Sequence, residues 1–567
     1  MFKAHVTEGP QGGGWRNTPF EKIQPTFKVH LMKLSLSKLS MAVALSVSGL
    51  TANAQILPTH QTESVWFQEA NANIAMKEKT MNTPSVAKNV ILFVGDGMGI
   101  VTLTTARIFE GQSIEGNQGG EEHELYFENF PHTALVKTYN TNSQVPDSAG
   151  TMTAMVSGLK TDIGVFGYDE DTNRGDCDTL QGNGVTTYLE MAEVAGMSTG
   201  VVSTARLTHA TPGALYAKTP DRNYEDISDI RDGTSCFGKI EDIASQLINL
   251  EDNIEARFDG IDVDGIEVAM GGGRRHFIPK DTAFNVEKPI DSGAEGDRTD
   301  GRNLPDEWLS KYTGVNAAYV TDQAGFDAVD TESTDKLLGL FNESHMQYEA
   351  DRGNDIAGEP SIAEMTTKAI GVLDNNPNGF FLMVESGRID HAHHAGNYAG
   401  ALTDTVALAE AVKAAYEATD PNETLIIVTA DHGHVNTMGG YVTRGNPILG
   451  KAVYSAGVGA QPASDDLPFT TVNYNNGRGF CDLAAETNSD AGYGCEIAAG
   501  ARVDLTNVNT TTAGYHQEAV VPLTSETHSG EDISIHATGP GSSFVRGTVE
   551  QSMVFHIMNN ARPVITD

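Results

Sequence analysis

Two short segments set histidines beside carboxylates. Asp390-His391-Ala392-His393-His394 and Asp431-His432-Gly433-His434 each follow an apolar run. Imidazole nitrogen and carboxylate oxygen are the usual ligands of borderline divalent ions such as zinc, so two such clusters predict a metal centre. Glu526-Thr527-His528-Ser529-Gly530-Glu531-Asp532 adds a histidine in an acidic loop, and Val94-Gly95-Asp96-Gly97-Met98-Gly99 places a carboxylate among glycines that let backbone pass close to a ligand. Asp147-Ser148-Ala149-Gly150 reads as a loop that turns into a helix at the serine. Backbone N–H groups and the helix dipole favour negative charge there, so an alkoxide or an attached phosphate would be stabilised. Taken alone, the serine is an ordinary helix N-cap. No Gly-x-Ser-x-Gly elbow surrounds it, so its activation is expected from a metal and not from a catalytic triad.

The elements that must position these residues are legible as apolar runs. Asn89 to Asp96, Phe380 to Glu385 and Thr424 to Asp431 end abruptly in polar residues and read as strands buried on both faces, as in a parallel sheet covered by helices. Helical patterns fall at Thr403 to Thr419 and Gly184 to Gly196, the latter before a further strand, Thr199 to Ala205. The fold class expected is α/β, a central, mostly parallel sheet sandwiched by helices. Ligands gather beyond the carboxyl ends of strands in such sheets, where Asp96, Glu385 and Asp431 stand. Two stretches break the alternation, about 285–330 and about 440–525, and are expected as large loop insertions.

The 567-residue chain is long enough for one large catalytic domain, expected over 55–567. Its formal net charge of -39 excludes a basic nucleic-acid footprint and suits an acidic, solvated surface. Residues 32–54 have the build of a signal peptide: lysines, an apolar stretch from about Leu39 to Leu50, and Ala52-Asn53-Ala54 for cleavage. The chain is therefore expected to be exported, to the periplasm or beyond, with 1–31 a non-native or disordered extension. No segment approaches the roughly twenty apolar residues of a membrane helix. Four cysteines in an exported chain favour two disulfides. Three pairings are open, and Cys177–Cys236 with Cys481–Cys495 closes the most compact loops.

Taken together the motifs resemble the alkaline phosphatase family. Asp96 in Asp-Gly-Met-Gly, Asp147-Ser148-Ala149, Thr208-His209-Ala210-Thr211-Pro212, Asp221-Arg222-Asn223, the Glu385 to His394 segment, the Asp431 to His434 segment and Glu526 to Asp532 follow one another in the family's order over roughly 89–545. The resemblance implies hydrolysis of phosphate monoesters through a phosphorylated Ser148, at a site of two zinc ions and one magnesium ion. It implies Asp390, His394 and His528 around the first zinc, Asp96, Asp431 and His432 around the second, and Asp96, Thr211 and Glu385 around magnesium. Arg222 would clamp the phosphate, His391 would approach it through water, and His209 would lie near the magnesium. That pair of histidines resembles vertebrate and some other bacterial members, since the enterobacterial form carries Asp and Lys there. A homodimer acting on small monoesters is implied, with neither nucleic acid nor membrane as partner. His393 and His434 receive no role beyond support of the ligands. The competing readings are a phosphodiesterase or sulfatase of the same metal-hydrolase superfamily, and a non-catalytic acidic metal-binding extracellular protein.

Overall fold

A computed structural model describes residues 86–564 apart from 115–118, 259, 455–458, 484–494 and 498–499. The expected extension and signal segment lie outside the described residues.

Ten strands form one sheet: β1 (Asn89–Gly95), β2 (His132–Lys137), β3 (Ser198–Arg206), β4 (Val268–Gly272), β5 (Ala317–Val320), β6 (Lys336–Leu340), β7 (Phe380–Ser386), β8 (Thr424–Ala430), β9 (Ile533–Thr538) and β10 (Thr548–Glu550). Their spatial order is β10-β2-β9-β8-β1-β7-β3-β4-β6-β5. β9 alone among them runs against its neighbours, pairing antiparallel with β8 and β2. Every residue of β1, β7 and β8 is buried, so the centre of the sheet is covered on both faces. That burial is why these strands read as unbroken apolar runs and not as an alternation.

Two groups of helices supply the cover. One comprises α1 (Ile100–Ser113), α5 (Ile362–Leu373), α6 (Arg388–His394) and α7 (Tyr398–Ala418); the other comprises α2 (Ser148–Ser157), α3 (Tyr188–Val194), α4 (Ala210–Tyr216) and α8 (Met553–Ala561). α5 starts at a capping box, Ser361 with Glu364, and α3 at another, Thr187 with Glu190. Each box satisfies N–H groups that the first helical turn leaves free.

The two stretches expected as insertions are structured where described. Residues 285–330 contain β5, one of the two edge strands of the sheet, so this stretch is in part sheet and not wholly loop. Residues 440–525 supply Val472–Gly477 and Ala519–Pro522, which join Asn436–Met438 in a separate three-stranded sheet. The disulfides are Cys177–Cys236 and Cys481–Cys495.

Candidate metal centre

The register of three central strands brings distant carboxylates together. Gly95 lies opposite Ala430 across the β1–β8 pair, so Asp96 and Asp431, each the next residue, leave the sheet side by side. Glu385 in β7 lies opposite Val94 in β1 and opposite Ser203 in β3, whose hydroxyl donates to it in a short hydrogen bond. Asp96, Glu385 and Asp431 are all fully buried. Burial first, then the neighbouring carboxylates, holds Asp96 well above the usual carboxylate range; burial also carries Glu385 up to about 7. Such a set is costly without a cation among it.

The turn after β1 admits only glycine at one position. Gly97 has φ +70°, and a Cβ there would lie 2.3 Å from His434 Nε2. Its N–H donates to Asp431 Oδ1 at 3.0 Å, which joins the two strand ends. The glycines around Asp96 thus allow the backbone to pass against the His434 ring.

Helix α6 presents Asp390 and His394 one turn apart. Asp390 Oδ1 lies 3.3 Å from His394 Nε2, 3.3 Å from His528 Nε2 and 2.8 Å from His434 Nε2. His394 Nδ1 lies 2.6 Å from the Glu526 carbonyl oxygen and His528 Nδ1 lies 2.8 Å from that of Pro146. With N–H on each Nδ1, the Nε2 lone pairs of His394 and His528 converge 3.0 Å apart beside a carboxylate oxygen. Two lone pairs so placed repel unless a cation sits between them, and fixing the tautomer through the far nitrogen is how metal-binding histidines are oriented.

Asp96, Asp431 and His432 form a second group of ligand atoms, and Asp96, His209 and Glu385 a third. Both oxygens of Asp96, Oε1 of Glu385, Nδ1 of His432 and Oγ1 of Thr211 are buried without a hydrogen-bond partner among the described residues. Each of these atoms belongs to a side chain that can bind metal, and a buried polar atom without a partner calls for one. Burial keeps His432 well below its ordinary pKa, so the ring is neutral and able to ligate. The donor sets therefore fit divalent cations.

Ser148 opens α2, with Oγ 3.2 Å from His432 Nε2. The N-cap is Asp147, not Ser148: the Asp147 carboxylate accepts from Gly150 N–H at 3.2 Å. Both residues are good caps, and the aspartate precedes. The serine hydroxyl is thereby left free to face the histidine. Asp147 also takes Arg222 Nη1 at 3.1 Å, while Arg222 Nη2 lies 3.1 Å from His209 Nε2. The rings of His209 and His391 are 5.3 Å apart. Ser148 and the three groups of ligand atoms thus meet at one end of the central strands, with Arg222 and the two histidines beside them.

Three participants escaped the sequence reading of roles: Asp147, which braces Arg222; Glu526, which hydrogen-bonds to His434 behind Asp390; and His345, whose ring lies 4.0 Å from that of His391. Glu526 was visible as the acidic residue two before His528. No pattern marks His345.

A family model described as alkaline phosphatase matches residues 87–564. The tissue-nonspecific alkaline phosphatase of Gallus gallus is 41% identical over 522 residues, 91% of this chain and 93% of that protein. An alkaline phosphatase of Gadus morhua is 40% identical, over 87% of this chain and 95% of its own. The fold is similar to that of the Thermus thermophilus alkaline phosphatase, with a TM-score of 0.57 at 23% identity over 90% of this chain and 96% of that one.

Proposed function

The chain belongs to the alkaline phosphatase family and hydrolyses phosphate monoesters, and on that premise we propose that it does so through a phosphorylated Ser148 at a site for two zinc ions and one magnesium ion. The observation that carries this reading is the meeting of a free serine hydroxyl with the His432, Asp96 and Asp431 group. Asp390, His394 and His528 would hold the first zinc, Asp96, Asp431 and His432 the second, and Asp96, Thr211 and Glu385 the magnesium. Bound there, the ions would supply Lewis acidity, lowering the pKa of the serine hydroxyl and stabilising the charge on the departing alcohol.

The chain's own groups do the remainder. Ser148 Oγ attacks phosphorus as the ester P–O bond breaks, giving phosphoserine and an alcohol; water then attacks that phosphorus, releasing inorganic phosphate and restoring the hydroxyl. Ser148 N–H, at the first position of α2, lies in the region where the helix favours negative charge. Arg222 presents a planar fork to phosphate oxygens, oriented from behind by Asp147. His391 would approach the phosphate through water, and His209, grouped with Asp96 and Glu385 and 3.1 Å from Arg222 Nη2, would lie near the magnesium.

We further read the protein as an exported homodimer. Two disulfides support export, and membership of the alkaline phosphatase family supports the homodimer. Hydrolysis of p-nitrophenyl phosphate, its bis-ester and p-nitrophenyl sulfate by one preparation tests the reaction class. The monoester rate is expected to exceed the others by orders of magnitude; a faster bis-ester or sulfate rate would overturn the assignment.

A further inference from the structure

We propose that His345 is a positioning residue for His391, the back wall against which the phosphate-facing histidine rests. The proposal depends on the role given to His391 above and extends it to a residue that has no place in the metal or phosphate sets. Three imidazoles form a triangle here: His345 and His391 have ring centroids 4.0 Å apart, His345 and His209 5.5 Å, and His209 and His391 5.3 Å. Two of the three stand at the phosphate site. The third closes the triangle from the protein side.

What makes His345 a wall is the way its loop is fastened. Gly273 N–H donates to Ser344 O at 2.6 Å, Arg274 N–H to Asn342 O at 3.1 Å, and Met346 N–H to Thr204 O at 3.0 Å, so backbone bonds tie both flanks of His345 to the ends of β3 and β4. A Cβ on Gly272 would stand 2.2 Å from Ser344 O, which shows how closely the loop is seated. The ring is gripped as well. Arg206 faces it from both sides, with its guanidinium Nη1 2.5 Å from Nε2 and its backbone N 3.2 Å from Nδ1; the neutral ring accepts from one of these donors. Arg206 is held in turn by a two-pronged pair with Glu225, 2.7 Å at both Nε and Nη2. Glu225 also accepts from Thr208 at 2.6 Å and faces His276 Nε2 at 3.3 Å.

His391 is fastened differently. Its Nδ1 lies 3.2 Å from Arg388 Nη1, and Arg388 stacks on Tyr348. That contact sets one edge of the imidazole, and the His345 face sets its tilt. Without His345 the His391 ring gains room to turn away from the phosphate.

The test is kinetic, on zinc- and magnesium-loaded protein with p-nitrophenyl phosphate as substrate and inorganic phosphate as inhibitor. His345→Ala is expected to raise KM and the phosphate inhibition constant about tenfold, with metal per chain unchanged and kcat altered less than about twofold. His345→Gln, which keeps a planar polar group in the space, is expected to recover most of the loss. The double variant with His391→Ala is expected to match His391→Ala alone, because His345 acts through that ring. Should His345→Ala fail to fold, Arg206→Lys, which breaks the two-pronged pair with Glu225, is expected to reproduce the rise in KM. Additive losses in the double variant, an unchanged KM, or loss of metal would each overturn the proposal. A wild type without monoester turnover would instead sink the reading on which it rests.

Discussion

His434 donates from Nε2 to Asp390 Oδ1 at 2.8 Å while its Nδ1 faces Glu526 Oε2 at 2.6 Å. Although burial opposes a charge on the ring, the carboxylates of Glu526 and Asp390 outweigh it and push the His434 pKa up to about 10. The imidazole is a bridge between two carboxylates, and one of them also faces His394 and His528. Glu526→Gln removes one anchor of this bridge without touching Asp390. It is expected to weaken zinc retention about tenfold and to leave residual kcat per bound zinc near wild type. Metal content after graded chelator dialysis measures this, and unaltered retention would show that the bridge does not orient Asp390.

Cys177 and Cys236 are 59 residues apart and pack with Tyr224 and Ile230 in a small cluster of their own. Tyr224 is two residues from Arg222. Replacing both cysteines with alanine is expected to cost about 4 kcal/mol by the chain-entropy estimate for a loop of this length. KM should rise as well, since the segment carrying Arg222 is loosened. Thermal unfolding and steady-state kinetics on the same variant check both effects.

Glu359 is only 2% exposed, and burial first, then Asp355, pushes its carboxyl up to about 8 despite a hydrogen bond from Gln347 N–H at 2.7 Å. The folded protein therefore holds a proton that the unfolded chain releases near its ordinary value of 4.5. This contribution to stability is complete below about pH 4.5 and is lost as pH rises to about 8. Glu359→Gln removes the dependence. Relative to wild type the variant is expected to gain on the order of a few kcal/mol between pH 5 and pH 9. Urea midpoints at the two pH values measure it, and an equal difference at both would exclude this carboxyl as the source.

Much of the site was legible because strands buried on both faces announce themselves as apolar runs, and Asp96, Glu385 and Asp431 stand at their carboxyl ends. The observed strands begin and end within one or two residues of those runs. Helix α7 starts at Tyr398, five residues before the pattern suggested, because Asn397 caps it by accepting from Gly400 N–H. The Asp147 cap was hidden because aspartate and serine cap equally well and stand side by side. Edge strand β5 is short and mostly half-buried, and so lacks the apolar run that marks the central strands. His345 was invisible for a different reason: its place depends on backbone bonds from Gly273 and Arg274, some seventy residues earlier, and no local pattern encodes them.

The mechanism proposed for this site rests on the Ser148 hydroxyl as the group that attacks phosphorus. Ser148→Ala, assayed for p-nitrophenyl phosphate turnover with zinc and magnesium per chain measured in the same sample, tests it most directly. Metal content close to wild type and a kcat lower by at least about a thousandfold are expected. Near-wild-type turnover with the metals retained would contradict it.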